Sequence, residues 1–153
     1  MRLKLSLMLA AALLCAAAVA RAAPPAGLAP VEGRVVWVDF WASWCVPCRR
    51  SFPWLNSMHR KYGTDGLQII AVNLDKDRAL ADKFLAEVPA EFALRFDAAG
   101  ELAKHYGVQA MPSSYLIDAE GNVLATHAGF RTADTADYEQ AIANALTKSQ
   151  SQR

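Results

Sequence analysis

The strongest constraint on the fold is a pair of apolar runs separated by one helical stretch. Arg34 to Phe40 (Arg-Val-Val-Trp-Val-Asp-Phe) and Leu67 to Leu74 (Leu-Gln-Ile-Ile-Ala-Val-Asn-Leu) are near-continuously apolar, the pattern of strands buried on both faces. Between them, Val46 to Tyr62 carries Phe52, Leu55, Met58 and Tyr62 at helical spacing. Pro53 predicts a kink within that helix, and Gly63 and Gly66 bracket its exit. Strand, helix and strand in this order make a βαβ unit, so the two strands are predicted to be parallel.

The rest of the chain extends the pattern. Asp77 to Val88 places Leu80, Phe84 and Val88 at four-residue spacing, a short amphipathic helix, and Phe92 to Phe96 fits a short strand. Ala99 to Tyr106 is a further short helix closed by Gly107. Ser113 to Ile117 and Val123 to Ala128 flank Asp118-Ala-Glu-Gly-Asn122, a hairpin signal. Ala136 to Lys148 sets Tyr138, Ala141, Ile142, Ala145 and Leu146 on one face, with Asp134 or Thr135 as its cap. The expected organisation is a signal or anchor at 1–22, a linker at 23–33, one domain at 34–148 and a polar, frayed tail at 149–153.

The N-terminus reads as an export signal. Arg2 and Lys4 precede an apolar run from Leu5 to Ala20, and Ala20-Arg21-Ala22 offers small residues at the positions a signal peptidase reads. An uncleaved anchor is the rival reading, but sixteen helical residues span only about 24 Å of the ~30 Å hydrocarbon core. Cys15 follows Leu14, where a lipoprotein signal would want a small residue, which argues against lipid attachment. The full chain carries 16 basic and 15 acidic residues, a balance unlike that of a nucleic-acid binder. Segment 1–22 holds three of the basic residues, no acid and one of the three cysteines, so without it the domain is mildly acidic and keeps only Cys45 and Cys48.

Those two cysteines carry the chemistry. Trp44-Cys45-Val46-Pro47-Cys48 lies directly between the first strand and the first helix. Thiols at this spacing on a helix start can close a disulfide across one turn. The first sits where unpaired backbone N–H groups and the positive helix end stabilise a thiolate. Cys48, one turn in, is the shielded, resolving thiol. Zinc needs about four ligands, and His59, His105 and His127 show no metal spacing. Covalent haem needs a histidine where Arg49 stands. A purely structural disulfide would close too small a loop to constrain the unfolded chain much. Redox chemistry is the reading on which motif and βαβ context agree.

Residues 38 to 48, Val-Asp-Phe-Trp-Ala-Ser-Trp-Cys-Val-Pro-Cys, resemble the active-site segment of the thioredoxin superfamily. Met111-Pro112 resembles that family's cis-proline loop, and Gly129 a glycine after its final hairpin. Ala71-Val72-Asn73-Leu74-Asp75, the helix and strand inserted at about 77–97, and Tyr106-Gly107-Val108 through Asp118 narrow the likeness to the TlpA/ResA-like periplasmic reductases. The resemblance covers residues 34 to about 147. It implies a thioredoxin-like α/β fold with a mixed central sheet flanked by helices, a cis Met111–Pro112 bond facing Cys45, and no cofactor or metal. It also implies a periplasmic thiol-disulfide oxidoreductase that reduces protein disulfides through Cys45 and Cys48. Its electrons would come from a membrane donor of the DsbD or CcdA type, and its substrates would be apocytochrome c or copper-site cysteines of respiratory oxidase assembly. No nucleic-acid partner is expected, and membrane contact only if the N-terminal segment is retained. Val46-Pro47 lacks the histidine of the strongest oxidants, which leans toward a reductant. The rivals are an oxidant or isomerase of the same fold, and a Cu(I)-carrying module using the same cysteines.

Relatives of this type carry a glutamate three residues after the second cysteine, where this chain has Ser51, and often no acid at the position of Asp39. An acid inside Val-Trp-Val-Asp-Phe-Trp is costly to bury ionised, so Asp39 is expected to hold a proton near neutrality and to accept the Cys48 proton. The rival reading is a partly solvated strand-end acid. Trp44 is expected to offer an exposed apolar contact beside the sulfur, and Met111 a backbone that pairs with an extended substrate. Trp37 and Trp41 read as core or wall residues. Arg49-Arg50 reads as a solvated pair that modestly favours the Cys45 thiolate, and His59 as a surface or half-buried side chain.

Overall fold

The computed structural model describes Leu28 and residues 34–151. The expected signal at 1–22, the remainder of the 23–33 linker and the last two residues lie outside the described residues. Strands β1 (Val35–Trp41), β2 (Leu67–Asn73), β3 (Ala93–Phe96), β4 (Ser113–Ile117) and β5 (Val123–Ala128) form one mixed sheet in the order β3-β2-β1-β4-β5. β1, β2 and β3 run parallel, as the βαβ reading requires, while β4 is antiparallel to both β1 and β5. β1 is therefore central, and all seven of its residues are buried. The helices are α1 (Val46–Tyr62), α2 (Arg78–Glu87), α3 (Glu101–Tyr106) and α4 (Thr135–Ser151).

Alternation along β1 divides the core in two. Val35, Trp37 and Trp41 join Phe52 and Leu55 of α1 and Ile142 and Leu146 of α4 on one face. Val36, Val38 and Phe40 pack on the other, against Leu102, Ala103 and Tyr106 of α3. Leu28 belongs to this second cluster and is 2% exposed, so the predicted linker contains a core residue. On the first face Trp41, Phe52, Phe84 and Phe92 form a run of ring contacts, with Trp41–Phe84 at 4.7 Å and Phe52–Phe84 at 5.1 Å. These rings anchor the inserted α2 behind the start of α1, each pair adding roughly 0.5–1.5 kcal/mol beyond its buried area.

Two sequence expectations need correction. In α2, Ala81 and Phe84 are buried while Leu80 is 49% exposed. Four-residue steps drift about 40° each around a helix, and the small Ala81 takes the inward place assigned to Leu80. The polar tail is not frayed from Ser149: α4 continues to Ser151 and Ser149 is buried. α1 continues through Pro53 to Tyr62 as a single helix. Among the described residues no helix is long and apolar enough to cross a membrane.

Candidate active site

β1 delivers the chain to a tight turn, Ala42 to Trp44, closed by the Cys45 N–H donating to the Ala42 carbonyl at 3.0 Å. Cys45 then occupies the N-cap of α1 with extended backbone angles (φ −81°, ψ 100°). Its Sγ accepts a hydrogen bond from the Cys48 N–H at 3.2 Å, the place a capping oxygen usually fills. Pro47 sits in the first turn, where a missing N–H costs nothing. Cys45 and Cys48 form a disulfide with an S–S distance of 2.06 Å and Cα atoms 5.3 Å apart. When that bond is reduced, free N–H groups and the positive helix end favour the thiolate of Cys45.

Cys48 is fully buried and Cys45 is 3% exposed, while Trp44 and Val46 beside them are 68% and 63% exposed. Both cysteines are thus buried beside an exposed apolar rim formed by Trp44 and Val46. Arg49 is exposed, and it is ion-paired with Glu87 of α2, with its guanidinium 5.2 Å from the centre of the Phe84 ring.

Asp75 holds the turn that carries the rim. Its carboxylate accepts from the Ser43 N–H (2.8 Å), the Ser43 hydroxyl (2.8 Å) and the Asn73 side-chain amide (2.7 Å). The Asp75 N–H in turn donates to the Asn73 side-chain Oδ1 at 3.1 Å. Sequence reasoning quoted Asn73 and Asp75 as part of a family likeness and assigned them no role. Two polar residues ending an otherwise apolar parallel strand were the available signal.

Asp39 is 1% exposed. It lies on the α1 side of β1, alternating with Trp37 and Trp41. Its Oδ1 accepts from the Ser114 hydroxyl at 2.6 Å, and its Oδ2 has no hydrogen-bond partner. Burial pushes its pKa up to about 7, against smaller opposing effects of the Ser114 hydroxyl and the Trp37 indole. The indole favours the carboxylate from outside hydrogen-bond geometry, since Trp37 Nε1 is also buried without a partner. A carboxyl in this state takes and releases protons at neutral pH. Ser51, one turn after Cys48, spends its hydroxyl on the Cys48 carbonyl at 3.1 Å.

The Met111–Pro112 bond is cis. The Pro112 carbonyl accepts from Gly129 N–H at 2.7 Å, and Met111 packs onto the apolar cluster that contains Cys45 and Cys48. The motif, the proline loop and the buried acid, drawn from three parts of the chain, are thus gathered at one side of the sheet. His127 of β5 was missed: its ring stacks on Trp37 with centroids 5.6 Å apart, and burial holds its pKa below the ordinary histidine value. His59 is half-buried at the far end of α1.

Comparison with known proteins places this geometry in context. The Redoxin family model matches residues 24–142. The thiol-disulfide oxidoreductase ResA of Bacillus thuringiensis subsp. konkukian is 34% identical over 105 residues, covering 69% of this chain and 61% of the relative. ResA of Bacillus subtilis is 28% identical over the same length, covering 69% of this chain and 59% of the relative. The chain thus spans about three-fifths of the length of the curated relatives it matches. Among solved structures, a putative thiol:disulfide interchange protein DsbE from Chlorobium tepidum is 56% identical, with a TM-score of 0.74 over 75% of this chain and 82% of that one. StoA from Bacillus subtilis is 26% identical, with a TM-score of 0.64 over 73% of this chain and 84% of that one.

Proposed function

This chain belongs to the Redoxin family, as a TlpA/ResA-like member of the thioredoxin superfamily, and from that premise we propose that it is a thiol-disulfide oxidoreductase that reduces protein disulfides. The observation that carries the reading is the placement of Cys45 at the N-cap of α1, in a disulfide with the fully buried Cys48.

In the reduced protein the Cys45 thiolate attacks one sulfur of a partner's disulfide, releasing the other as a thiolate and forming a mixed disulfide. Cys48 then gives its proton to the ionised Asp39. Its sulfur attacks Cys45 Sγ, and the partner's second thiolate leaves. The partner gains two electrons as a dithiol, and the protein returns to the Cys45–Cys48 disulfide. Trp44 contributes apolar contact at the rim. Met111, preceding the cis Pro112, offers its backbone to an extended partner segment.

The N-terminal signal exports the domain to the periplasm. A membrane donor of the DsbD or CcdA type restores its thiols there, because an oxidising compartment does not. The substrates belong to cytochrome c or respiratory oxidase maturation. What supports these steps is the Lys/Arg-flanked apolar run at residues 2–20 and the likeness to ResA and DsbE proteins.

Cys48→Ala tests the reading, since a variant without the resolving thiol should accumulate partner proteins disulfide-linked to Cys45. The reduced wild type should reduce insulin and retain no copper after desalting. A reduction potential as oxidising as that of a dedicated oxidase would refute the direction. Tight one-to-one copper binding with negligible reductase activity would replace the reading with a metal carrier.

A further inference from the structure

Asp39 is flanked in the sheet by Ala71 of β2 and Ser114 of β4. Ala71 offers only a methyl group, so among the described residues the Ser114 hydroxyl makes the one hydrogen bond to the Asp39 side chain. At 2.6 Å it is a close hydroxyl–carboxyl contact. The two carboxyl oxygens are therefore unlike: Oδ1 is engaged, and Oδ2 is buried and unpaired.

We propose that Ser114 is a positioning residue for proton transfer at Asp39: its hydroxyl, placed on Oδ1, governs how tightly the acid holds the proton that the unpaired Oδ2 exchanges with Cys48. This inference rests on the reading of Asp39 as the proton acceptor for Cys48. It adds the residue that sets the acid's proton affinity.

Trp37, two residues away on β1, also favours the carboxylate, from outside hydrogen-bond geometry, and the hydrogen bond itself falls to Ser114. On the α1 side of the sheet, α1 contributes Cys45 and Cys48, joined as a disulfide, and Ser51, bound to its own helix. β5 contributes His127, opposite Ser114 in register, whose imidazole is kept neutral by burial. α4 contributes Tyr138, whose phenol is raised by burial and reaches Asp134 at 3.3 Å. Asp134 is itself paired with Arg131. None of these groups is hydrogen-bonded to Asp39.

Reduction of the oxidised protein by dithiothreitol isolates the step. A dithiothreitol thiolate attacks Cys45 Sγ, the S–S bond breaks, and its electron pair passes to Cys48 Sγ, which takes the proton from Asp39 Oδ2. Dithiothreitol then closes its ring and displaces Cys45 as a thiolate, so the protein gains the two electrons that dithiothreitol loses, while dithiothreitol gives its two protons to solvent and Asp39 recovers its own from there.

The test is twofold. The Asp39 carboxyl is titrated by carbon-13 NMR in the oxidised protein, and the rate of reduction by dithiothreitol is measured from pH 6 to 9. Ser114→Ala should raise the Asp39 midpoint by about one pH unit, a tenfold gain in proton affinity, for the loss of one bond to the charged form. The ratio of variant to wild-type rates should then stay near one at pH 6 and rise several-fold near pH 8. Ser114→Thr keeps the donor and should leave both readouts in place. An unmoved midpoint in Ser114→Ala, or an equal shift in both variants, overturns the role of Ser114 and leaves that of Asp39 standing. A midpoint that moves while the rate ratio stays flat overturns the role of Asp39, and that of Ser114 with it.

Discussion

Ser43 and Asp75, 32 residues apart in sequence, are joined by two hydrogen bonds of 2.8 Å, one to the Ser43 backbone and one to its hydroxyl. They tie the turn before Cys45 to the loop after β2, next to the Leu74 N–H that donates to the Trp41 carbonyl at 2.9 Å. The cysteine motif is thereby fastened to two neighbouring strands.

Asp75→Ala removes the acceptor for three donors in a largely buried place, and should lower stability by about 2–4 kcal/mol. Asp75→Asn keeps one carbonyl acceptor and should lose about half as much. Urea denaturation of the oxidised proteins measures both. Equal stability of Asp75→Ala and wild type would show that the turn stands without its clamp.

Asp39 makes the fold less stable in alkali. Its pKa is about 7 in the folded protein against 3.8 as the ordinary value. Between those limits the folded state binds more protons than the unfolded one, so its contribution to stability falls as pH rises through that window. Asp39→Asn should match the wild type near pH 4 and exceed it at pH 8 by up to about 4 kcal/mol, at about 1.36 kcal/mol for each pH unit between the two values. Denaturation midpoints at the two pH values check this, and a gain independent of pH would contradict it.

His127 acts in the opposite sense. Its folded pKa is depressed by burial, so the unfolded chain binds the extra proton, and stability is lost as pH falls below the ordinary value near 6.5 through the folded one. His127→Phe keeps an aromatic ring on Trp37 and removes the titration. Thermal midpoints of the variant should fall less steeply than those of wild type between pH 6.5 and 4.5.

The phase of α2 is testable with two substitutions. Phe84→Ala empties the centre of the ring cluster and should cost about 3–5 kcal/mol. Leu80→Ser changes a solvent-facing side chain and should stay within about 0.5 kcal/mol of wild type. A large loss in Leu80→Ser would return Leu80 to the core.

Much of this site is legible in the sequence because it is local or apolar. Cys45 and Cys48 stand one helical turn apart, and the burial of Asp39 follows from its neighbours in β1. β4 and β5 keep the bounds that the hairpin signal at Asp118–Asn122 suggests. What escaped depends on register. Ser114 meets Asp39 across 75 residues only because β4 pairs antiparallel with β1 at Asp39↔Ser114, and one residue of slip would turn the hydroxyl to the other face. His127 reaches Trp37 through the next pairing, Ser114↔His127. Asp75 carries no periodic signal, because its partners belong to a turn and a strand end. Leu80 fell to the ambiguity of helix phase, where a stripe of large side chains and the face of closest approach differ by one residue.

Leu28 bears on where a shortened form of this chain can begin. It is enclosed with Val36, Val38, Phe40 and Tyr115 on the face whose only described helix, α3, is six residues long. Cutting the chain after Ala22 leaves this side chain attached, whereas a form starting at Arg34 strips it away and opens the back of the sheet to water. A soluble domain for biophysical work is therefore better cut before Leu28 than at the first strand. Leu28 thus belongs to the rear wall of the domain, although it lies before the first strand.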